Sequence, residues 1–336
     1  MGKETMIFFL KLSVRLIIIV LSIILLAQIL SDADLLKFSE FFSYQNLGWI
    51  LVAATSLLGS VLIRSIRWQY LVYSKICKNE RTHSFADFWN YLFSLVLNLL
   101  IPFRSGEIYR VLISGGSNKS IVKNSISAFT EKFFDILVVL GGLVFYLSIS
   151  GTTFLEIEKL FIKKRTVLLI SVGLAILLIC ILYINQYSFN KKLKMLGQNL
   201  MLNKNARFWI IIFLMTCLVW VLEAIKFFLV WYCLGNSMIT TLPLLAFFLA
   251  TLSLGIPGAP AALGTFHYAI IVATIPFGVE YAAALNYAVL MHLSYFLVLI
   301  FGSFFLYILT GPPTGFKEIS ISKIILKLKS GWTSWI

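Results

Sequence analysis

The chain has 336 residues, 60% of them hydrophobic and only 12% charged, with a mean hydropathy of +0.94. Soluble domains run at about 45–50% apolar and about 25% charged, so this composition excludes a soluble globular protein. The net charge of +14 sits in short loops beside apolar runs, the placement of topology determinants and not of a nucleic-acid surface.

At the N-terminus, Lys3, Lys11 and Arg15 precede the apolar stretch Leu16–Leu30, and Ser31-Asp32-Ala33 fits a loose cleavage pattern. The length of the stretch and the spans that follow favour an uncleaved first span over a signal peptide. Six full spans are predicted at 12–30, 47–72, 124–149, 166–185, 208–234 and 281–309, each near the ~20 residues a bilayer requires. Two apolar segments remain, 85–113 and 242–277. The first is broken by Ile101-Pro102-Phe103-Arg104-Ser105-Gly106 and the second by Ile256-Pro257-Gly258-Ala259-Pro260.

If each broken segment enters and leaves on one side, and the N-terminus is inside, 21 of the 28 Lys and Arg fall in inside loops. If 85–101 crosses fully, the inside count drops to 12. The positive-inside rule therefore favours two re-entrant hairpins, although Lys163-Lys164-Arg165 then lies outside. Broken backbone at membrane depth is tolerated only where protein or a water-filled cavity satisfies it, so an internal cavity is expected.

The expected fold is an all-α polytopic membrane protein with six spans and two re-entrant hairpins, arranged as an inverted-topology repeat. The first repeat occupies 1–150, the second 151–310, and a basic cytoplasmic tail 311–336. In the tail, Ile321, Ile324, Ile325 and Leu328 share one helical face opposite Lys323 and Lys327, an interfacial amphipathic pattern. Arg64-Ser-Ile-Arg67-Trp68 aligns with Glu223-Ala-Ile-Lys226-Phe227, and Leu97-Asn98-Leu-Leu-Ile-Pro102 with Leu252-Ser253-Leu-Gly-Ile-Pro257. Gly106-Glu107 aligns with Gly264-Thr265. Chance also produces short matches in so Leu- and Ile-rich a chain; the topological match is independent of them. Paired Pro/Gly-interrupted segments point to a substrate site near the midplane.

Candidate site residues cluster at the breaks. Pro102 stops a helix and Gly106 permits a turn, so a new helix starts near Ser105. Its free N–H groups suit an anion such as phosphate, with Arg104 and Arg110 as added donors. The alternative is that both arginines are topology signals at the lipid headgroups. Glu107 and Arg110, three apart, can pair. Glu131 and Asp135 share a face of the third span; an acid there costs about 2.5–3.5 kcal/mol on insertion scales, so Glu131 needs a partner, Arg104 or Arg110, unless both acids are hydrated at the inner interface. Glu223 and Lys226 either neutralise each other or meet substrate. Arg64 and Arg67, with Trp68, read as snorkelling anchors. In the second break, Pro257, Gly258 and Gly264 allow close backbone approach. His267 is either a proton relay or a hydrogen-bonded structural residue.

No cofactor is expected. His83, His267 and His292 lack zinc spacing. Cys77, Cys180, Cys217 and Cys233 form no CxxC motif and read as free thiols. No nucleophile-elbow, Walker A or HExxH motif occurs.

Arg67-Trp68, Asn98, Pro102, Arg104, Gly106-Glu107, Arg110, Glu131, Asp135, Pro257-Gly258 and Gly264-Thr265 together give a pattern that resembles the transmembrane domain of lysylphosphatidylglycerol synthases, the flippase-like or UPF0104 membrane family, over about residues 10–310. The Pro-x-Arg-x-Gly-Glu-x-x-Arg stretch is its most specific part. Lys132 departs from the Arg of many members, and His267 from their Glu. The resemblance implies a lipid-binding or lipid-translocating domain in the cell membrane, with both termini cytoplasmic. The soluble aminoacyltransferase domain of the full synthases is not expected after the short tail, and neither is aminoacyl transfer. Substrate contacts are expected from Asn98, Arg104, Glu107, Arg110, Glu131, Glu223 and His267. The expected partner is a membrane lipid, either a phospholipid or a polyprenyl-phosphate-linked sugar, and no nucleic acid. The alternatives are an intramembrane enzyme using Glu131 or His267, or an accessory subunit of a glycosyltransferase.

Overall fold

The computed structural model describes residues 41–73, 85–100, 104–114, 118–149, 205–236, 241–255 and 262–313. All regular structure among them is helical. The helices are α1 Leu47–Tyr73, α2 Phe85–Leu100, α3 Ser105–Ile113, α4 Asn118–Ile149, α5 Ala206–Cys233, α6 Leu242–Ser253, α7 Thr265–Thr274 and α8 Tyr281–Thr310, with 3-10 turns at Tyr44–Asn46 and Ile275–Phe277. Four stretches are long and apolar enough to cross a membrane: Tyr44–Tyr73, Ile121–Ile149, Ala206–Cys233 and Tyr281–Thr310. They coincide with the predicted spans at 47–72, 124–149, 208–234 and 281–309. The predicted spans at 12–30 and 166–185, the tail beyond 313, and Pro102, Pro257 and Gly258 lie outside the described residues.

Local chemistry explains the helix ends. Asn205 caps α5, its side chain accepting from the Phe208 N–H at 3.0 Å. Pro243 opens α6, where its missing N–H costs nothing. Gly311, at φ 74°, ends α8. Segments 85–113 and 242–277 each divide into two short helices, α2 with α3 and α6 with α7.

α1 and α5 form an antiparallel central pair. Asn46 Nδ2 donates to the Cys233 carbonyl at 2.9 Å, Ser56 Oγ to the Leu222 carbonyl at 2.6 Å, and the Tyr70 ring stacks on Phe208. The end of α1 meets the start of α4, where Ser127 Oγ donates to the Leu71 carbonyl at 3.4 Å. α2 and α3 therefore leave and rejoin at one end of the bundle. The same holds for α6 and α7, because the Tyr287 hydroxyl of α8 donates to the Phe227 carbonyl of α5 at 2.8 Å. α2 packs on α8, where a Cβ added at Gly302 would meet Leu92 at 3.8 Å, and Trp89 Nε1 donates to the Gly311 carbonyl. α6 packs on α4, with the Phe248 ring so close to Gly142 that a side chain there would collide with it.

The distribution of polarity is the reverse of a soluble protein's. Phe145, Phe301, Phe304, Phe305 and Ile308 are exposed on the long helices, whereas Arg67, Arg110, Glu131 and Lys226 are buried. Hydrocarbon solvent favours this arrangement, with ionised groups confined to the interior.

Candidate functional site

The buried charges come from helices that carry them at i, i+3 or i, i+4, so both members of each pair face inward together. Arg64 and Arg67 lie on α1, Glu107 and Arg110 on α3, Glu131 and Asp135 on α4, and Glu223 and Lys226 on α5.

The Arg67 side chain is wholly enclosed. Its guanidinium donates to Glu131 Oε1 at 3.0 Å, to Asp135 Oδ1 at 2.8 Å and to Thr216 Oγ1 at 2.7 Å. Glu131, equally enclosed, also accepts from the Tyr91 hydroxyl at 2.9 Å and, through Oε2, from Arg110 at 3.0 Å. The Arg110 guanidinium lies over the Trp68 and Tyr91 rings, 4.6 and 4.4 Å from their centroids. Charge-assisted hydrogen bonds of this geometry offset the cost of taking the ions out of water.

A second cluster adjoins the first. Glu223 Oε1 accepts from Ser60 Oγ at 2.8 Å and lies 3.5 Å from Arg64, and its Oε2 lies 3.4 Å from the Lys226 ammonium. Arg64 bridges the clusters, 4.0 Å from Asp135 Oδ2.

The network reaches the surface at one edge. Lys132 pairs with Glu107 at 3.2 Å, and Arg104 approaches the same carboxylate at 3.6 Å. The Arg104 side chain is 50% exposed and that of Lys132 35%. Arg104 Nη2 also donates to the Leu254 carbonyl at 3.3 Å, at the C-terminal end of α6, where helix carbonyls carry partial negative charge. The first broken hairpin thus touches the second.

Several expectations are corrected by this geometry. Arg64 and Arg67 point inward to carboxylates and are not snorkelling anchors. Glu131 is not hydrated at an interface, since its side chain is fully buried. Glu107 turns to Lys132 and Arg104, while Arg110 turns to Glu131, so the expected i, i+3 pair of Glu107 with Arg110 does not form. The turn before α3 is made by Arg104 itself, at φ 53° and ψ 40°, and not by Gly106. Gly106 is required by close approach, because a Cβ there would run into the Ser94 carbonyl. At the N-terminus of α3, the Gly106 N–H goes to Asn98 Oδ1 at 2.8 Å, and the Glu107 and Ile108 N–H groups go to the Arg104 carbonyl. Those three donors are used within the protein.

In the second hairpin, Gly264 adopts φ 88°, which L side chains rarely do. His267 is buried, its ring 4.8 Å from that of His292, and its Nδ1 has no hydrogen-bond partner among the described residues. Sequence reasoning left Arg64, Arg67, Tyr91, Lys132, Thr216 and Ser60 out of the site. The basic pair Arg64 and Arg67 in one apolar run and the acidic pair Glu131 and Asp135 in another, each at helical spacing, were the available signal for Arg67. For the tyrosine and the hydroxyls there was none. Among the described residues, no three His, Cys, Asp or Glu gather as a metal site.

The interior therefore holds four cations, Arg64, Arg67, Arg110 and Lys226, against three anions, Glu131, Asp135 and Glu223; the edge adds Arg104 and Lys132 against Glu107. Cations thus outnumber anions by one in the interior and by one at the edge.

Residues 13–302 match the family described as the lysylphosphatidylglycerol synthase TM region. Over 221 residues the chain is 25% identical to a UPF0104 membrane protein of Methanocaldococcus jannaschii, a stretch covering 64% of this chain and 94% of that protein. No solved structure matches it.

Proposed function

The chain belongs to the lysylphosphatidylglycerol synthase TM family of membrane proteins, and we propose that it binds an anionic lipid headgroup where its two broken hairpins meet and carries that lipid across the bilayer. The observation behind this reading is the excess of positive charge at that meeting point, with Arg104 and Lys132 at its accessible edge. A lipid phosphate would displace Glu107 from these two cations. The buried Arg67, Arg110 and Glu131 would hold the helices in place around it. The substrate is a phospholipid or a polyprenyl-phosphate-linked sugar, and the site is the cell membrane with both termini cytoplasmic.

The reading takes the two halves as an inverted repeat, which the helix contacts support. The helix contacts keep their pattern when α1–α4 are exchanged with α5–α8: α2 rests on α8 as α6 rests on α4, and α1 faces α5. A glycine lies at each of these contacts, Gly142 of α4 beside Phe248 of α6 and Gly302 of α8 near Leu92 of α2. Two such halves of opposite orientation supply the two access states that alternating transport requires.

The test is movement of labelled anionic lipid between leaflets of liposomes containing purified protein. Transport that is lost in Arg104→Ala with Lys132→Ala supports the proposal. Folded protein that moves no lipid refutes it, and would point to the accessory role beside a glycosyltransferase.

A further inference from the structure

The acids of the interior all accept hydrogen bonds from side chains. Glu131 accepts from Tyr91, Arg67 and Arg110, Asp135 from Arg67, and Glu223 from Ser60 and Lys226. The carboxylate of Glu107, at the edge, accepts none among the described residues. Ion pairs alone hold it, and Lys132 and Arg104 both approach the same oxygen, Oε1, at 3.2 and 3.6 Å. An ionised carboxylate offers about four acceptor positions, so this one has capacity to spare. Its side chain is 20% exposed, between two cations that are more exposed still.

The surface around these charges is apolar. Ile108 follows Glu107 on α3, Phe133 follows Lys132 on α4, and Leu254 supplies the carbonyl that Arg104 reaches; all three side chains are exposed. A polar spot framed by lipid-facing side chains suits an amphiphile, its headgroup on the charges and its chains alongside in the bilayer.

A phosphate on Arg104 and Lys132 changes what Glu107 faces. Lys132 also lies 3.9 Å from Asp135, but that acid is already engaged by Arg67. Two cations against Glu107 thus leave one positive charge, which the single negative charge of a phosphodiester neutralises. Glu107 then loses its cations while still largely out of water, and a carboxylate without partners there is costly. A hydroxyl carried beside the phosphate removes that cost by donating to Glu107. An ammonium would also donate, but would restore the excess of positive charge.

We infer that Glu107 selects the headgroup: Arg104 and Lys132 take a phosphodiester, and Glu107 accepts a hydrogen bond from a neighbouring hydroxyl, as on glycerol or a sugar. A site that pairs with a hydroxyl rejects the analogue lacking it, because its own acceptor is left unpaired. The inference rests on the binding site proposed above and does not need transport to occur.

The experiment measures lipid binding to the full chain in detergent by native mass spectrometry, with phosphatidylglycerol and phosphatidylmethanol as a matched pair. Both are monoanionic phosphodiesters, and only the first carries headgroup hydroxyls. Wild type is expected to bind phosphatidylglycerol about tenfold more tightly, the effect of one hydrogen bond to a charged group. In Glu107→Met, shown to be folded by gel filtration, this preference should disappear, and Glu107→Asp should keep most of it. A carboxylate that only ties α3 to α4 would change both affinities alike; the preference surviving in Glu107→Met therefore overturns the inference. Equal binding of the two lipids by wild type also overturns it and leaves the phosphate site standing. If phosphatidylethanolamine then binds more tightly than phosphatidylcholine, the hydroxyl is overturned in favour of an ammonium. No binding of either anionic lipid refutes the proposed site itself, and the inference with it. Selective binding by a protein that moves no lipid supports the inference and contradicts only transport.

Discussion

Arg104, at the break of the first hairpin, donates a hydrogen bond to the carbonyl of Leu254, at the edge of the break in the second, across 3.3 Å. One side chain thereby joins two discontinuous helices that lie far apart in sequence. The same residue holds a left-handed backbone at φ 53°, a conformation that costs a non-glycine residue on the order of 1–3 kcal/mol and collects at functional sites.

Replacing Arg104 separates these roles. Arg104→Gly relieves the backbone and removes the guanidinium. Its melting temperature should equal or exceed that of wild type while lipid movement falls at least about tenfold, equivalent to ~1.4 kcal/mol. A variant that transports normally would show that the cation is dispensable.

Arg67 tests the buried network. Arg67→Ala leaves Glu131 and Asp135 short of a partner inside the membrane, and breaking a buried pair in this way costs about 3–5 kcal/mol. Thermal melts in detergent should show a severe loss of folded protein. The double variant Arg67→Met with Asp135→Met should be less damaged than the sum of its single changes, since coupled sites are not additive. Additive losses would mean that the two side chains do not depend on each other.

Gly106 and Gly48 form a matched pair. Gly106→Ala drives a methyl group into the Ser94 carbonyl, whereas Gly48→Ala meets nothing within 4 Å. The first should open the hairpin between α2 and α3 and reduce the yield of folded protein. The second should leave yield unchanged or raise it slightly, because alanine favours helix by about 1 kcal/mol over glycine. Gel filtration of both variants checks this.

Labelling checks the re-entrant arrangement. Single cysteines at Tyr73 and Lys119, in a background without native cysteines, should react with an impermeant maleimide from the same side of the membrane. Reaction from opposite sides would mean that the segment between α1 and α4 crosses fully.

Four of the predicted spans and both interruptions were legible in the sequence because hydrocarbon thickness sets the length of an apolar run, and Pro and Gly mark where it stops. The partners of the charges were less so. The i, i+4 spacing of Glu131 and Asp135 showed that they share a face, and the cost of burial showed that Glu131 needs a cation. Arg110 was among the named candidates. Arg67 was misread because an arginine near the end of an apolar run has the same local pattern whether it snorkels outward or turns in; only the packing of α1 against α4 and α5 decides. Gly106 was singled out for its backbone freedom, but its reason is the distance to Ser94, which no local pattern reports.

The most direct test of the central claim is a comparison of transbilayer movement rates for labelled phosphatidylglycerol, a polyprenyl-phosphate sugar and phosphatidylcholine, in liposomes holding wild type or Lys132→Gln. The account predicts that at least one anionic lipid moves much faster than phosphatidylcholine and that Lys132→Gln reduces this preference. Equal rates for all three lipids, or no movement by folded protein, would contradict it.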